Sequence, residues 1–263
     1  MLFRLFFTGS GLLSVLTLAG LWVAGPEGLD RAMAVMAVGS GYADFVFSLS
    51  LPGSLGLVAV AGAGFLAIKS GRTVSVELFF LSFWMFCLSL ELLRFIPVFL
   101  LAVTPLEAHT TAMEFVTRTV LAARYAGTAS LFAGSLFAVG LRTERIQAAL
   151  LVSILAGLVF SSVQPLNSAS PGWDWLAERG FTVFASGLSV TLGLLSIINH
   201  VVAWRSGHES AFLLAGFGLG LMVAGSVAMQ LHLPKAVLLA SMTGLATGAW
   251  IYGKSLHDHY LWR

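Results

Sequence analysis

The chain has 263 residues, 58% of them hydrophobic and only 10% charged, with a mean hydropathy of +0.92 and a formal net charge of +2. A soluble domain is near 25% charged, so this balance excludes one, and it excludes a disordered chain and a collagen as well. A single cysteine, Cys87, lies inside an apolar run and rules out a disulfide scaffold.

The sequence therefore predicts an all-α polytopic membrane protein, one integral membrane domain over 1–263, with membrane lipids as its immediate partners. The net charge of +2 comes with no clustered basic surface, so no nucleic-acid partner is expected.

Apolar runs of roughly 17–25 residues can cross a hydrocarbon core about 30 Å thick. In chain order they fall near 5–24, 52–69, 76–103, 113–140, 146–164, 178–203, 210–230 and 235–253, which predicts about eight helices joined by short loops, with seven as the nearest other count. The first run is longer than a signal-peptide core, and Trp22 sits where a cleavage site at Ala24 needs a small residue, so it reads as a retained helix. Breaks between runs carry turn residues: Gly25-Pro26, Ser70-Gly71, Pro105, Pro165, Pro171-Gly172, Ser206-Gly207 and Pro234. No internal repeat is visible.

Residues 30–51 interrupt this regularity. Phe45, Phe47, Leu49 and Leu51 alternate with other residues after a Gly-Ser-Gly, which predicts an outer interfacial or re-entrant segment near 30–51 in preference to an outward extension of the second helix through Pro52.

Lysine and arginine placement sets the orientation. Arg4, Lys69, Arg72, Arg142, Arg145, Arg205, Lys254 and Arg263 fall on one side, Arg31, Arg179 and Lys235 on the other, and Arg94, Arg118 and Arg124 within helices. The bias predicts both termini inside, in a bacterial cytoplasmic membrane.

Helices in lipid approach closely where small residues recur every fourth position. Such stripes occur at Gly216, Gly220, Ala224 and Ala228, at Ser130, Gly134 and Ala138, and at Gly244 and Gly248. They suit tight packing within one bundle, or an interface in a homo-oligomer.

The charged residues inside the third and fourth runs are the strongest functional signal, because ionised groups in hydrocarbon are costly without partners. Glu91 and Arg94 are three apart, Glu114 and Arg118 four apart, and helical rise places Glu91 level with Arg124 on the neighbouring antiparallel helix. Tyr125 shares the face of Arg118. Three arginines against two glutamates leave about one positive charge, which Asp44, Glu107 or an external carboxylate or phosphate would neutralise.

The candidate ligand-binding set is Glu91, Arg94, Arg118, Arg124, Tyr125 and Asp44, lining an outward-facing polar cavity between helices 3 and 4. The same residues fit a buried ion network that fixes helix register, or ion conduction through Glu91.

Weaker signals lie elsewhere. Gln164, Asn167 and Trp173 fall in an outer loop, His200 reads as a hydrogen-bonded core histidine beside Asn199, and His257 with His259 as a solvated tail. The sequence has no HExxH, GxSxG, phosphate loop or CxxC, and names neither a metal site nor a cofactor, so catalysis is the lesser expectation. The reading that follows is binding or transport of a small anionic or amphiphilic ligand. The alternatives are a non-catalytic subunit or sensory module acting through a partner membrane protein, and a lipid- or quinone-linked membrane enzyme or anchor.

Overall fold

The computed structural model describes residues 6–17, 19–20, 42–69, 75–103, 110–207, 209–231 and 233–261, with Asp30 and Ala34 as single positions. Its helices are α1 (Phe6–Thr17), α2 (Tyr42–Lys69), α3 (Val76–Ser89), α4 (Phe95–Val103), α5 (Thr110–Ala138), α6 (Ile146–Val163), α7 (Thr182–Gly207), α8 (Ser210–Ala228) and α9 (Lys235–Leu261). A 3-10 turn at Leu90–Arg94 joins α3 to α4, and a second at Thr143–Arg145 leads into α6. Strands β1 (Leu166–Pro171) and β2 (Ala177–Arg179) form an antiparallel hairpin between α6 and α7.

Among the described residues, six stretches are long and apolar enough to cross a membrane: Phe47–Ile68, Val76–Leu101, Thr143–Val163, Thr182–Gly207, Ser210–Ala228 and Lys235–Tyr260. The chain is an all-α membrane bundle by these criteria. Helix α5, expected as a span at 113–140, is 29 residues long but falls outside this set. Thr117, Ser130, Ser135, Gly127 and Gly134 are buried along it, among α3, α6 and α7. A helix enclosed by other helices is not required to be apolar on the faces they cover.

Burial separates centre from rim. In the most apolar 18 residues of the stretch that begins at Val76, 67% are buried, against 17% in those of the stretch that contains α6, so α3 is a core helix and α6 faces outward. Phenylalanines fill the space around α3: Phe6 meets Phe83 edge-on at 5.7 Å, and Phe80 stacks on Phe137 at 5.6 Å, tying α1 and α5 to it.

Three expectations are corrected. Residues 42–51 are not a re-entrant or strand-like segment. They are the first turns of α2, which runs through Pro52, while most of 30–41 lies outside the described residues. An alternation of only four apolar positions, 45 to 51, is weak, and at membrane depth a helix satisfies its own backbone where an isolated strand does not. Second, the run 76–103 is not one continuous helix but breaks at the 3-10 turn. Pro97 explains the position: it has no N–H for the carbonyl of Leu93, and its ring crowds that carbonyl.

Third, the last helix continues to Leu261 and its end is docked. The His259 ring pairs with Glu209 at 2.5 Å and packs on Phe212, Tyr260 donates to Glu77 at 2.8 Å, and His257 is buried, so the tail is not solvated. The small-residue stripe of α8 packs within the bundle: a side chain at Gly216 or Gly220 would meet His200 or Ile197 of α7, while a second pair outside that stripe, Gly218 and Gly225, faces α9. There Gly248 approaches so closely that a Cβ on it would lie 2.5 Å from the Gly218 carbonyl oxygen; Gly244 meets nothing within 4 Å.

Candidate functional site

The 3-10 turn organises the charges. With three residues per turn, positions i and i+3 eclipse, so Glu91 and Arg94 point the same way. Both are buried, Arg94 to 1% exposure. Arg94 Nη1 donates to Glu91 Oε2 at 3.1 Å. From α5, Arg124 reaches the same carboxylate with a two-pronged fork, Nε to Oε1 at 2.5 Å and Nη2 to Oε2 at 2.8 Å. Paired, parallel bonds of this kind are the strong form of the arginine–carboxylate contact.

The hairpin completes the cluster with residues that carried no weight in the sequence. Arg94 Nε donates to the backbone carbonyl of Asp174 at 2.6 Å, and the Asp174 carboxylate accepts from Arg179 at 3.0 and 3.4 Å. Its Oδ2 lies 3.8 Å from Arg94 Nη2 and 4.0 Å from Arg124 Nη2, close enough to attract but not to bond. Burial alone would raise the Asp174 carboxyl, but Arg179 first, then Arg94 and Arg124, outweigh it and hold it down from 3.8 to about 2.

Three further bonds seat the hairpin. Trp175 is fully buried and its indole N–H donates to Ser48 Oγ of α2 at 2.9 Å. The Ala177 N–H donates to Thr117 Oγ1 of α5 at 2.9 Å, and Gly180 N–H bonds back to the Pro165 carbonyl at 3.0 Å. Trp175 holds a φ of 62°, a left-handed conformation that is costly for a bulky side chain. The turn accepts that strain in order to drive the indole inward.

Of the predicted set, Glu91, Arg94 and Arg124 meet. Arg118 does not join them. It pairs with Glu114 at 2.8 Å and donates to the carbonyls of Ser161 and Ser162 at 2.9 and 3.2 Å, where it caps the C-terminal end of α6. Tyr125 turns to the other side of α5, donating to Gln164 Oε1 at 2.7 Å, and Gln164 Nε2 donates to the Gly180 carbonyl. The Asp44 side chain and Glu107 lie outside the described residues. The site is covered by the hairpin, not open.

No known protein family, curated protein or solved structure matches the chain. Its chemistry therefore rests on the cluster itself.

Among the described residues the cluster has three arginines, Arg94, Arg124 and Arg179, against two acids, Glu91 and Asp174, which leaves one positive charge in excess. Sequence reasoning found a surplus of the same size but counted Arg118 and Glu114, which satisfy each other, and missed Arg179 and Asp174. Two guanidinium nitrogens, Arg94 Nη2 and Arg124 Nη1, are buried with no hydrogen-bond partner among the described residues. The local signal for Asp174 was its placement between Trp173 and Trp175 after a Pro-Gly turn, an acid in an apolar context that a solvated loop does not need.

Proposed function

We propose that the protein binds a small anionic ligand at Arg94 and Arg124, with Asp174 as the internal group that the ligand displaces. The observation that carries this reading is the pair of buried, unpartnered nitrogens on two different arginines, in a cluster with one surplus positive charge. Asp174 gives its short bonds to Arg179 and stands off from the other two. A carboxylate or phosphate lying closer would supply an acceptor to the one nitrogen on each guanidinium that lacks a partner.

In this reading the hairpin lies on the outer face and both termini are cytoplasmic. One end of the bundle carries Arg142, Arg145 and Arg205, and the hairpin is at the other, so the arginine bias supports that orientation. The ligand reaches the arginines from outside when the hairpin lifts. A sensory role, acting through a partner, draws on the same geometry: the hairpin is bonded to α2, α5 and the 3-10 turn, so displacing Asp174 shifts all three relative to one another.

Thermal unfolding of the purified protein, titrated separately with acetate, succinate and inorganic phosphate, tests this. At least one anion is expected to raise the Tm of the wild type, more strongly in Asp174→Asn and not in Arg124→Gln. If no anion stabilises either the wild type or Asp174→Asn, the arginines are a register lock and the proposal fails.

A further inference from the structure

A second site, independent of the charged cluster, lies on the opposite side of α5. A groove of about 470 Å³ runs between α5, α6 and α7, walled by residues such as Phe132, Val152, Ala156 and Leu192. On α5 it extends from Tyr125 to Leu136, about 16 Å at helical rise, which is close to half of a hydrocarbon core about 30 Å thick. Tyr125 and Phe160, in edge-on contact at 6.0 Å, close one end. Arg145, at the start of α6, stands at the other.

The lining is apolar in effect as well as in composition. Thr128, Ser153 and Ser189 face the groove, but each hydroxyl donates to a carbonyl one turn back on its own helix, at 2.9, 2.9 and 3.2 Å. None is left to recognise a polar solute. Arg145 is exposed, and its guanidinium has no hydrogen bond or ion pair among the described residues. Arg142 is exposed in the same turn, and Glu144 between them does not line the groove.

We infer that this groove is a specific site for an anionic phospholipid of the leaflet on the Arg145 side, one acyl chain lying against α5 up to Tyr125 and the phosphate on Arg145. Length and charge both select that occupant. The groove is one leaflet deep and ends at a cation, and a guanidinium holds a phosphate through a planar fork. A zwitterionic lipid offers the same chain but no net charge to Arg145. A polar solute would find no free donor along the walls.

The full chain, exchanged into nanodiscs with equal phosphatidylglycerol and phosphatidylcholine and then released into mild detergent for native mass spectrometry, tests the inference. Phosphatidylglycerol is expected to stay bound, about one per chain, in preference to phosphatidylcholine. Arg145→Gln should lower its retention about fivefold, the worth of one arginine against an anionic leaflet. Ala156→Trp fills the groove and should abolish retention, while Val159→Trp, on an exposed position of α6, should not. If Ala156→Trp does not fold, Ala148→Trp at the exposed mouth makes the same block.

Equal retention of the two lipids, unchanged retention with the groove blocked, or a dimer that carries no lipid would each overturn the inference. None of these variants touches Arg94, Arg124 or Asp174, so the result is separate from the anion site.

Discussion

Two closely packed regions of this bundle are held by opposite means. Where α3, α5 and the hairpin meet, five charged side chains and a series of directed hydrogen bonds fix the geometry. Where α8 meets α9, the directed contacts of His259 with Glu209 and Phe212 sit at one end, and the middle is held by shape. Gly218, Gly225 and Gly248 let the backbones come together until a methyl group would collide with a carbonyl. In lipid, apolar surface gains little by leaving one hydrocarbon neighbour for another, so association comes from polar contacts or from close packing. Under the proposed function the first region exchanges partners, an anion standing in for the Asp174 carboxylate. The second has only one arrangement in which it fits.

The largest expected effect is in the polar region. Glu91→Gln leaves Arg94 and Arg124 buried beside each other with no full counter-charge, and the cost should be about 3–5 kcal/mol, read from unfolding in mixed micelles. Adding Arg124→Gln should recover part of that loss, since removing both members of a buried pair costs less than removing one. No recovery would mean that Arg124 has a structural role beyond charge.

The steric region should behave in the reverse way. Gly248→Val forces α8 and α9 apart and should cost about 1–3 kcal/mol, and a second change, Gly218→Ala, should add to the loss. Compensation between the two glycine changes would break the contrast.

Asp174 gives a pH signature. Its carboxyl is lower in the folded state than in the unfolded chain, so its stabilisation, about 2 kcal/mol, is present above pH 3.8 and is lost as pH falls toward 2. Pepsin, which is active across this range, should leave the 166–179 hairpin intact at pH 4 and cut it as pH approaches 2. Cleavage already at pH 4 would show that the hairpin is not held by the carboxylate. The smallest effect expected is from Tyr125→Phe, which removes one hydrogen bond to Gln164 and should lower stability by about 1 kcal/mol without altering the response to anions.

Particular residues mark how far the sequence could be read. The pairing of Glu91 with Arg124 was legible because it depends only on helical rise and on two helices being antiparallel neighbours. Arg118 was misplaced because the carbonyls of Ser161 and Ser162 that hold it come from a third helix whose end is defined only once α6 has packed. The hairpin was passed over because Pro-Leu-Asn-Ser-Ala-Ser-Pro-Gly has no β-branched residue and no alternation, and its strands pair only through a bulged register of few residues. Its stability comes from the bundle beneath it.

By itself, the sequence determined the environment and the demand for charge balance: long apolar runs require a bilayer, and arginines within them require acids, since both follow from transfer free energies that hold for any arrangement. Only the tertiary structure decided which acid answers which arginine, and that the answering group, Asp174, comes from a folded loop. Burial and distance between elements remote in sequence determine that choice.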